Sequence, residues 1–250
     1  MWDTYIIIPM TNVLLFIYEI IGHNFGIAII LFTILVRAIT WPLTAQQLKG
    51  TQGMQELQKD KEWLSIQKKY KNDKEKLASE QMRIYKERGI NPFGSCLPTI
   101  IQFPVIIGLY QSIIRSLAAT PLSLLNMSRS LYSFLDISSV IPLNSKFLWM
   151  DLGRPESIDV FGFALPTLAV IVVITSYIQS KLMTPPSNPG DQSAAMGNMM
   201  SIYMPFLMGY FAMTFASGLA LYFITSNLLG IAQYAMMGRA NWNNLIPGRK

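Results

Sequence analysis

The sequence predicts an all-α integral membrane protein with five transmembrane helices, an N-terminal interfacial helix and a cytoplasmic helical hairpin. Half of the residues are hydrophobic and only 14% are charged, whereas a soluble domain has about a quarter charged residues. Five windows have the roughly twenty apolar residues that a helix needs to cross a bilayer. Most of the charge lies in one segment between the first two windows, so we expect a single membrane domain with one sizeable soluble part.

The predicted transmembrane helices are residues 25–44, 93–115, 161–183, 198–215 and 218–237. Residues 1–24 are also apolar but contain Pro9, Asn12 and Glu19. We therefore predict an extracytoplasmic helix that lies in the membrane interface. A sixth transmembrane helix is the alternative, and the distribution of basic residues does not exclude it.

The basic residues predict the orientation of the chain. Segment 45–92 contains eleven Lys or Arg residues, the loop 116–160 contains three, and none precedes Arg37. Short loops rich in Lys and Arg stay in the cytoplasm. We therefore expect segment 45–92, the loop 184–197 and the short tail 238–250 to be cytoplasmic, and the N-terminus and the loop 116–160 to lie outside.

Segment 45–92 has the pattern of two amphipathic helices that form a basic, coiled-coil-like hairpin. The first helix has Met54, Leu57 and Leu64 on one stripe and Trp63, Ile66 and Tyr70 on the neighbouring one. In the second helix Leu77, Ile84 and Tyr85 are expected to face inward, with Asn72 or Asp73 as its cap. The surface cations suit anionic lipid headgroups or ribosomal RNA, although a merely solvated face is an equal alternative. The hairpin cations predicted to take part in such contacts are Lys59, Lys61, Lys68, Lys69, Arg83 and Lys86.

One cation stands inside the first predicted transmembrane helix. Arg37 lies roughly 16 Å along the helix from Gly26 and about 8 Å from Pro42, and Thr33 and Thr40 share its stripe. A central arginine costs about 2.5 to 3.5 kcal/mol on insertion scales, and snorkelling to the surface is the simplest alternative. None of the five windows contains Asp, Glu or His, so Arg37 has no acidic partner within them.

Other predicted transmembrane helices carry polar residues at similar depth, and these residues individually are typical of interhelical hydrogen bonds. Together with Arg37 they predict a hydrated, positively charged groove that faces the cytoplasm. The fourth helix is rich in methionine, which suits a surface that accepts many apolar guests, although lipid-facing filler is the alternative. The additional groove candidates are Gln102, Gln179, Tyr222, Ser226 and Asn227, and the predicted substrate-sliding face is Met199, Met200, Met204 and Met208.

The sequence argues against catalysis and ion coupling. It contains neither HExxH nor GxSxG and no phosphate-binding glycine loop, so we predict no catalytic residue, no metal site, no cofactor and no enzyme activity. Ion-coupled transporters usually keep titratable residues within the membrane. A polar-solute channel or facilitator remains the alternative function, and an assembly chaperone would share every feature described above.

Several stretches resemble the YidC/Oxa family of membrane protein insertases, among them FGIAIILFTILVRAITWPLT, NPFGSCLPTIIQFPVIIGLYQSI and SGLALYFITSNLLGIAQY. The resemblance implies a short form without a large extracytoplasmic domain, located in a bacterial plasma (inner) membrane. It implies that Arg37, with Thr33 one turn before it, lies in a hydrophilic groove open to the cytoplasm and the lipid, and that the hairpin is mobile and receives substrates. The implied partners are nascent membrane proteins, anionic lipids and, more remotely, the ribosome, the signal recognition particle pathway and the Sec translocon, with the monomer as the working unit.

Two features depart from the family pattern. Ala216-Ser217-Gly218 and then Leu-Tyr-Phe stand where many relatives have Pro-x-Gly before Leu-Tyr-Trp, so the start of the last helix is expected to differ. The segment after the last helix is short, which weakens the expectation of ribosome binding.

Overall fold

The computed structural model describes the backbone of residues 1–58, 60–70, 73–89, 97–117, 120–135, 140, 143–160, 163–183 and 192–238. Within these ranges it does not describe the side chains of residues 46–52, 54, 55, 58, 74, 97–101, 121, 159, 160, 163, 164 and 192–200.

Most of the described chain is helical, as predicted. A π-helical turn, Asp3–Ile7, leads into α1, and the helices are α1 Ile8–Ile20, α2 Phe25–Gln58, α3 Lys61–Lys69, α4 Lys74–Glu87, α5 Leu97–Leu117, α6 Pro121–Ser130, α7 Thr167–Met183, α8 Gln192–Thr214 and α9 Ser217–Met236. Four short strands interrupt the helical pattern: β1 Lys146–Phe147, β2 Met150–Asp151, β3 Ile158–Val160 and β4 Phe163–Leu165.

Helix α9 is central to the bundle. It packs against α2, α5, α7 and α8, and α7 also packs along α8. Phe32, Leu219 and Ala220 are buried in this core, whereas Ile34, Ile39 and Trp41 of α2 are exposed. Exposed apolar residues on a helix outside the core are expected where lipid covers it.

Three helical segments among the described residues are long and apolar enough to cross a membrane: Asp3–Ile20, Phe25–Ala45 and Ser217–Met236. Gln102–Leu117 and Leu122–Ser130 pass the same test only as a pair bent by 117°, and Thr167–Met183 is apolar but shorter. These properties support a protein built into the membrane. The count of five transmembrane helices stays a prediction.

The helical segment Asp3–Ile20 contacts the bundle near both of its ends. Asp3 forms an ion pair with Arg115 in the last turn of α5, and Tyr18 packs edge-on against Phe25 at the start of α2. Asn12 is buried and satisfied: it donates to the Ser130 carbonyl and accepts from the backbone N–H of Tyr132. An interfacial helix therefore stays a prediction, compatible with these contacts although the segment is long enough to span.

The region predicted as a plain loop at 116–160 is structured, and strands are present where an all-α fold was predicted. Thr120 and Ser123 form a capping box that starts α6, and β1 pairs with β2 while β3 pairs with β4, both antiparallel. Because β3 and β4 extend this region to Leu165, α7 begins at Thr167 rather than at residue 161. Strands of two or three residues are too short for alternation to reveal them in sequence.

Two other helix boundaries differ from the prediction. Helix α2 continues past Pro42 to Gln58, and the predicted first helix of the hairpin is split because Asp60 accepts the backbone N–H of Glu62 and caps α3. Helix α8 begins at Gln192, earlier than residue 198.

Helices α3 and α4 pack together around a small core. Trp63, Ile66, Leu77 and Ile84 are buried in it, and Leu57 from the end of α2 joins them. Asp73 caps α4, as one of the two predicted caps, by accepting the backbone N–H of Lys76. Arg88, which follows α4, forms an ion pair at 2.8 Å with Asp60, which precedes α3. The start of α3 and the end of α4 are therefore close.

Candidate functional site

The site is built around Arg37 on α2, which is half-buried against α9. Its Nε donates to Ser226 Oγ at 3.1 Å, and its Nη2 donates to Ser226 Oγ at 2.7 Å and to the Ser226 carbonyl at 2.8 Å. The guanidinium therefore rests on the polar groups of one serine. A neutral partner satisfies the N–H groups but does not neutralise the charge.

Polar groups continue from Ser226 toward α5. Tyr222 is one turn before Ser226 on α9, and Gln102 Nε2 donates to the Tyr222 hydroxyl. Tyr222 and Tyr234 both lie close enough to interact electrostatically with the guanidinium. Helices α2, α5 and α9 thus contribute to one polar network.

Helix α7 adds a fourth wall. A Cβ placed on Gly230 would collide with the amide nitrogen of Gln179 and would lie 3.5 Å from Arg37 Nη2. The absence of a side chain at Gly230 therefore lets Gln179 and Arg37 approach the same point on α9. Side chains at these positions can present a cation and an amide to one polar segment of a guest.

Asn227 follows Ser226 on α9 and faces α7 rather than Arg37. Its amide nitrogen donates to Thr175 Oγ1 at 3.1 Å and to Ser176 Oγ at 2.8 Å. These are the interhelical hydrogen bonds that were the alternative explanation for such residues. Asn227 thus ties α9 to α7 beside the Arg37 network.

The threonines of the Arg37 stripe bond to their own helix. Thr33 is fully buried and donates to the Ile29 carbonyl at 2.6 Å, and half-buried Thr40 donates to the Val36 carbonyl at 2.8 Å. Thr40 therefore stands beside Arg37 on the accessible part of the stripe. Thr33 lies on the buried part of the stripe, nearer the start of α2.

No carboxylate pairs with Arg37 among the residues that the structure describes: the ion pairs there lie in the α3–α4 pair and at the Asp3–Arg115 contact. The same residues contain no group of three His, Cys, Asp or Glu side chains that could hold a metal ion. Cys96 lies outside the described residues. The chemistry available at the site is therefore charge, hydrogen bonding and hydration.

The structure describes only part of the predicted methionine face. Met204 and Met208 are half-buried, and Met208 packs against the core. The side chains of Met199 and Met200 lie outside the described residues. The exposed apolar residues of this part of α8 are Ile202, Tyr203, Phe206, Tyr210 and Met213.

The hairpin cations differ in their surroundings. Lys61, Lys68, Lys69 and Lys86 are exposed, and Lys59 lies outside the described residues. Arg83 instead bonds to Glu80 and Glu87, and these bonds raise the pKa of Arg83 above its usual value, so it stays protonated. Arg83 is thus already engaged within α4, whereas the four lysines present their charge to solvent.

Sequence reasoning did not select Gly230 and Tyr234 for the site. Tyr222, Ser226, Gly230 and Tyr234 are spaced by four residues and so share one face of α9. That spacing was available in the sequence. A glycine carries no chemical signal of its own, however, and its role is visible only once Gln179 is placed beside it.

Comparisons with known proteins show the family of this chain. A family model described as "60Kd inner membrane protein" matches residues 16–244. The chain is 31% identical to the membrane protein insertase MisCA of Bacillus subtilis, over 93% of this chain and 77% of that protein. It is 37% identical to the membrane protein insertase YidC of Chlorobaculum parvum, over 85% of this chain but only 32% of that longer protein.

A solved structure of a YidC insertase is also similar to this chain. An active YidC insertase crystal structure with its first transmembrane domain resolved superimposes with a TM-score of 0.53 at 28% identity, covering 88% of this chain and 43% of that one. The chain therefore belongs to the YidC/Oxa family, the family described as 60Kd inner membrane protein.

Proposed function

We propose that this chain is a membrane protein insertase that draws short polar segments of small membrane proteins into the bilayer through a hydrated groove around Arg37. The relatives named as insertases support this function. The single observation that carries the mechanism is the half-buried guanidinium, which bonds only to the neutral Ser226 among the described residues. A cation without an acidic partner on its own chain can attract an acidic segment of a passing one.

The energetic argument concerns the polar backbone of the guest. Each unsatisfied polar group costs several kcal/mol in bare hydrocarbon. The half-buried side chains of Arg37, Gln102 and Gln179 offer polar groups at one place, and water in such a groove satisfies the rest. The groove thereby lowers the barrier for a short polar segment.

Release into lipid needs no nucleotide in this mechanism. The guest's transmembrane helix leaves the groove because burial of its apolar surface is favourable by about 25 cal/mol per Å². The predicted methionine face of α8 and its exposed neighbours Phe206 and Tyr210 would guide this step. The protein supplies position and hydration, without catalytic chemistry.

The remaining features have roles in the same proposal. Five helices span the membrane, α1 lies in the outer interface, and the N-terminus is outside with the C-terminus in the cytoplasm. The α3–α4 pair presents Lys61, Lys68, Lys69 and Lys86 to anionic lipid or to an arriving substrate complex. Ribosome, signal recognition particle and Sec partners belong to this proposal as the sources of substrates.

A polar-solute channel is less well supported because it needs a continuous path. Ile29, Ile113 and Leu152 are fully buried beside Gly218, at the opposite end of α9 from Arg37. In the part of the chain that is described, this apolar packing interrupts a continuous polar path at that end.

The experiment is insertion of a small one- or two-span substrate in cells that depend on this protein. We expect Arg37→Ala to reduce insertion about tenfold, equivalent to roughly 1.4 kcal/mol, and Arg37→Lys to retain most activity because the charge remains. Arg129→Ala, which removes an exposed cation on α6, is the matched control. Equal insertion by Arg37→Ala and Arg129→Ala would remove the charge from the mechanism.

A further inference from the structure

We propose that the β1–β2 turn, Leu148–Trp149, is a membrane anchor that inserts into the interface of the outer leaflet. This goes beyond the proposed insertase function and does not depend on the chemistry at Arg37. Its partner is the boundary between phospholipid headgroups and acyl chains, which accepts tryptophan and aliphatic side chains.

The composition of the turn is the first reason. Phe147 pairs with Met150, so Leu148 and Trp149 are the two residues at the tip of the hairpin. Two-residue turns favour Asn, Asp and Gly, yet here both residues are large and apolar, with 75% and 56% of their surface exposed. Leu148 also has a φ of 54°, a conformation that leucine rarely adopts.

The base of the β1–β2 hairpin fixes the height of its tip relative to the start of α2. The Phe147 ring occupies the space where a side chain on Gly26 would stand, and Gly26 is the second residue of the candidate span Phe25–Ala45. Met150 is buried against the core. Since strand residues advance by about 3.3 Å each, the tip lies within a few ångströms of the level at which this helix begins.

The orientation of Trp149 is that of an interfacial residue. Its indole N–H donates to Glu156 Oε1 at 3.1 Å. The same carboxylate accepts the Thr167 hydroxyl and, through Oε2, the backbone N–H of Leu168 at the start of α7. The polar edge of the indole is thus satisfied by protein, while much of its surface remains exposed.

Lipid fits this surface better than a protein partner does. Beyond the Glu156 contact, α7 continues with exposed Val170 and Ile174, so the tip adjoins an apolar surface that lipid would cover. Lys146 and Arg154, on either side of the turn in sequence, are exposed cations that suit phosphate groups. Apolar residues next to cations match the layers of a phospholipid interface.

The test measures the depth of a spin label in vesicles of zwitterionic phosphatidylcholine, which lack the anionic headgroups proposed to bind the α3–α4 lysines. The full-length protein with Cys96→Ser receives a nitroxide at Leu148→Cys, at Ile174→Cys as the lipid-facing reference, or at Lys68→Cys as the water-facing reference. Collision rates with oxygen, which partitions into lipid, and with a water-soluble nickel chelate are then compared. We expect the oxygen-to-nickel ratio at position 148 to exceed that at position 68 several-fold and to approach that at position 174.

Two results would overturn the anchor. A ratio at position 148 equal to that at position 68 would place the turn in water. Low collision rates with both reagents would show that a protein surface covers it. As a second measurement, an environment-sensitive fluorophore at position 148 should be quenched by brominated lipids, and absence of quenching would contradict the proposal.

Discussion

Arg37 and its partners show how far single residues can be read from sequence. Its isolation among apolar residues and the lack of acidic residues in the predicted spans identified it, and the structure places Ser226, Tyr222 and Gln179 beside it. Which polar residue would bond to Arg37, rather than to another helix, was not predictable. Asn227 is adjacent to Ser226 in sequence but points to Thr175 and Ser176, because consecutive residues on a helix face directions about 100° apart.

Tyr222 is expected to hold α5 and α9 together beside the site. Tyr222→Phe removes the hydroxyl that accepts the Gln102 N–H and leaves the Gln102 amide without this partner. We expect a loss of about 1 kcal/mol in the free energy of unfolding, within the range for such bonds in membranes. Unfolding in mixed micelles measures it.

The control is Tyr210→Phe, because Tyr210 is mostly exposed on α8 and its ring is retained. Equal unfolding free energies for the two variants would show that the Gln102–Tyr222 bond contributes nothing.

At the scale of elements, hydropathy predicted α2 and α9 because their apolar runs are long and unbroken. It misplaced the start of α7, where Phe163–Leu165 is apolar enough to extend a helix but pairs with Ile158–Val160 instead. The split at Asp60 was also missed, since a helix cap competes with a continuing amphipathic pattern. Local hydrogen bonds of this kind decide boundaries, and sequence periodicity does not report them.

The α3–α4 pair allows its buried core to be compared with its surface charges. Trp63 is 1% exposed and contacts Tyr85, so Trp63→Ala should cost about 3 to 5 kcal/mol. Arg83 is exposed, and Arg83→Ala should cost much less than Trp63→Ala despite its ion pairs. Hydrogen exchange of residues 61–87 measures both, and greater loss of protection in Arg83→Ala would contradict this ranking.

At the scale of the molecule, the two ends of the central helix α9 differ. At its start, the backbone N–H groups of Ser217 and Gly218 donate to the carbonyls of Arg154 and Leu152, and this end is tightly packed. Further along, Ser226 and Gly230 face Arg37 and Gln179. Among the described residues, loop 143–160 thus covers the start of α9, whereas polar side chains face its later turns, and this asymmetry supports the proposed groove.

The proposed orientation makes opposite predictions for two exposed positions. In a Cys96→Ser background, a membrane-impermeant thiol reagent added to intact cells should label Ser157→Cys but not Lys68→Cys. Ser157 lies in the structured loop and Lys68 in the α3–α4 pair, and both are exposed. The pattern should reverse in inverted membrane vesicles, and labelling of Lys68→Cys in intact cells would refute the orientation.

The most direct test of the central claim varies the charge of the guest. Substrates with zero, one or two acidic residues in the translocated segment are inserted by the wild-type protein and by Arg37→Ala. Because an unpaired cation attracts carboxylates, we predict that the ratio of wild-type to variant insertion rates rises with each acidic residue. A ratio that stays constant across the three substrates would contradict the role assigned to Arg37.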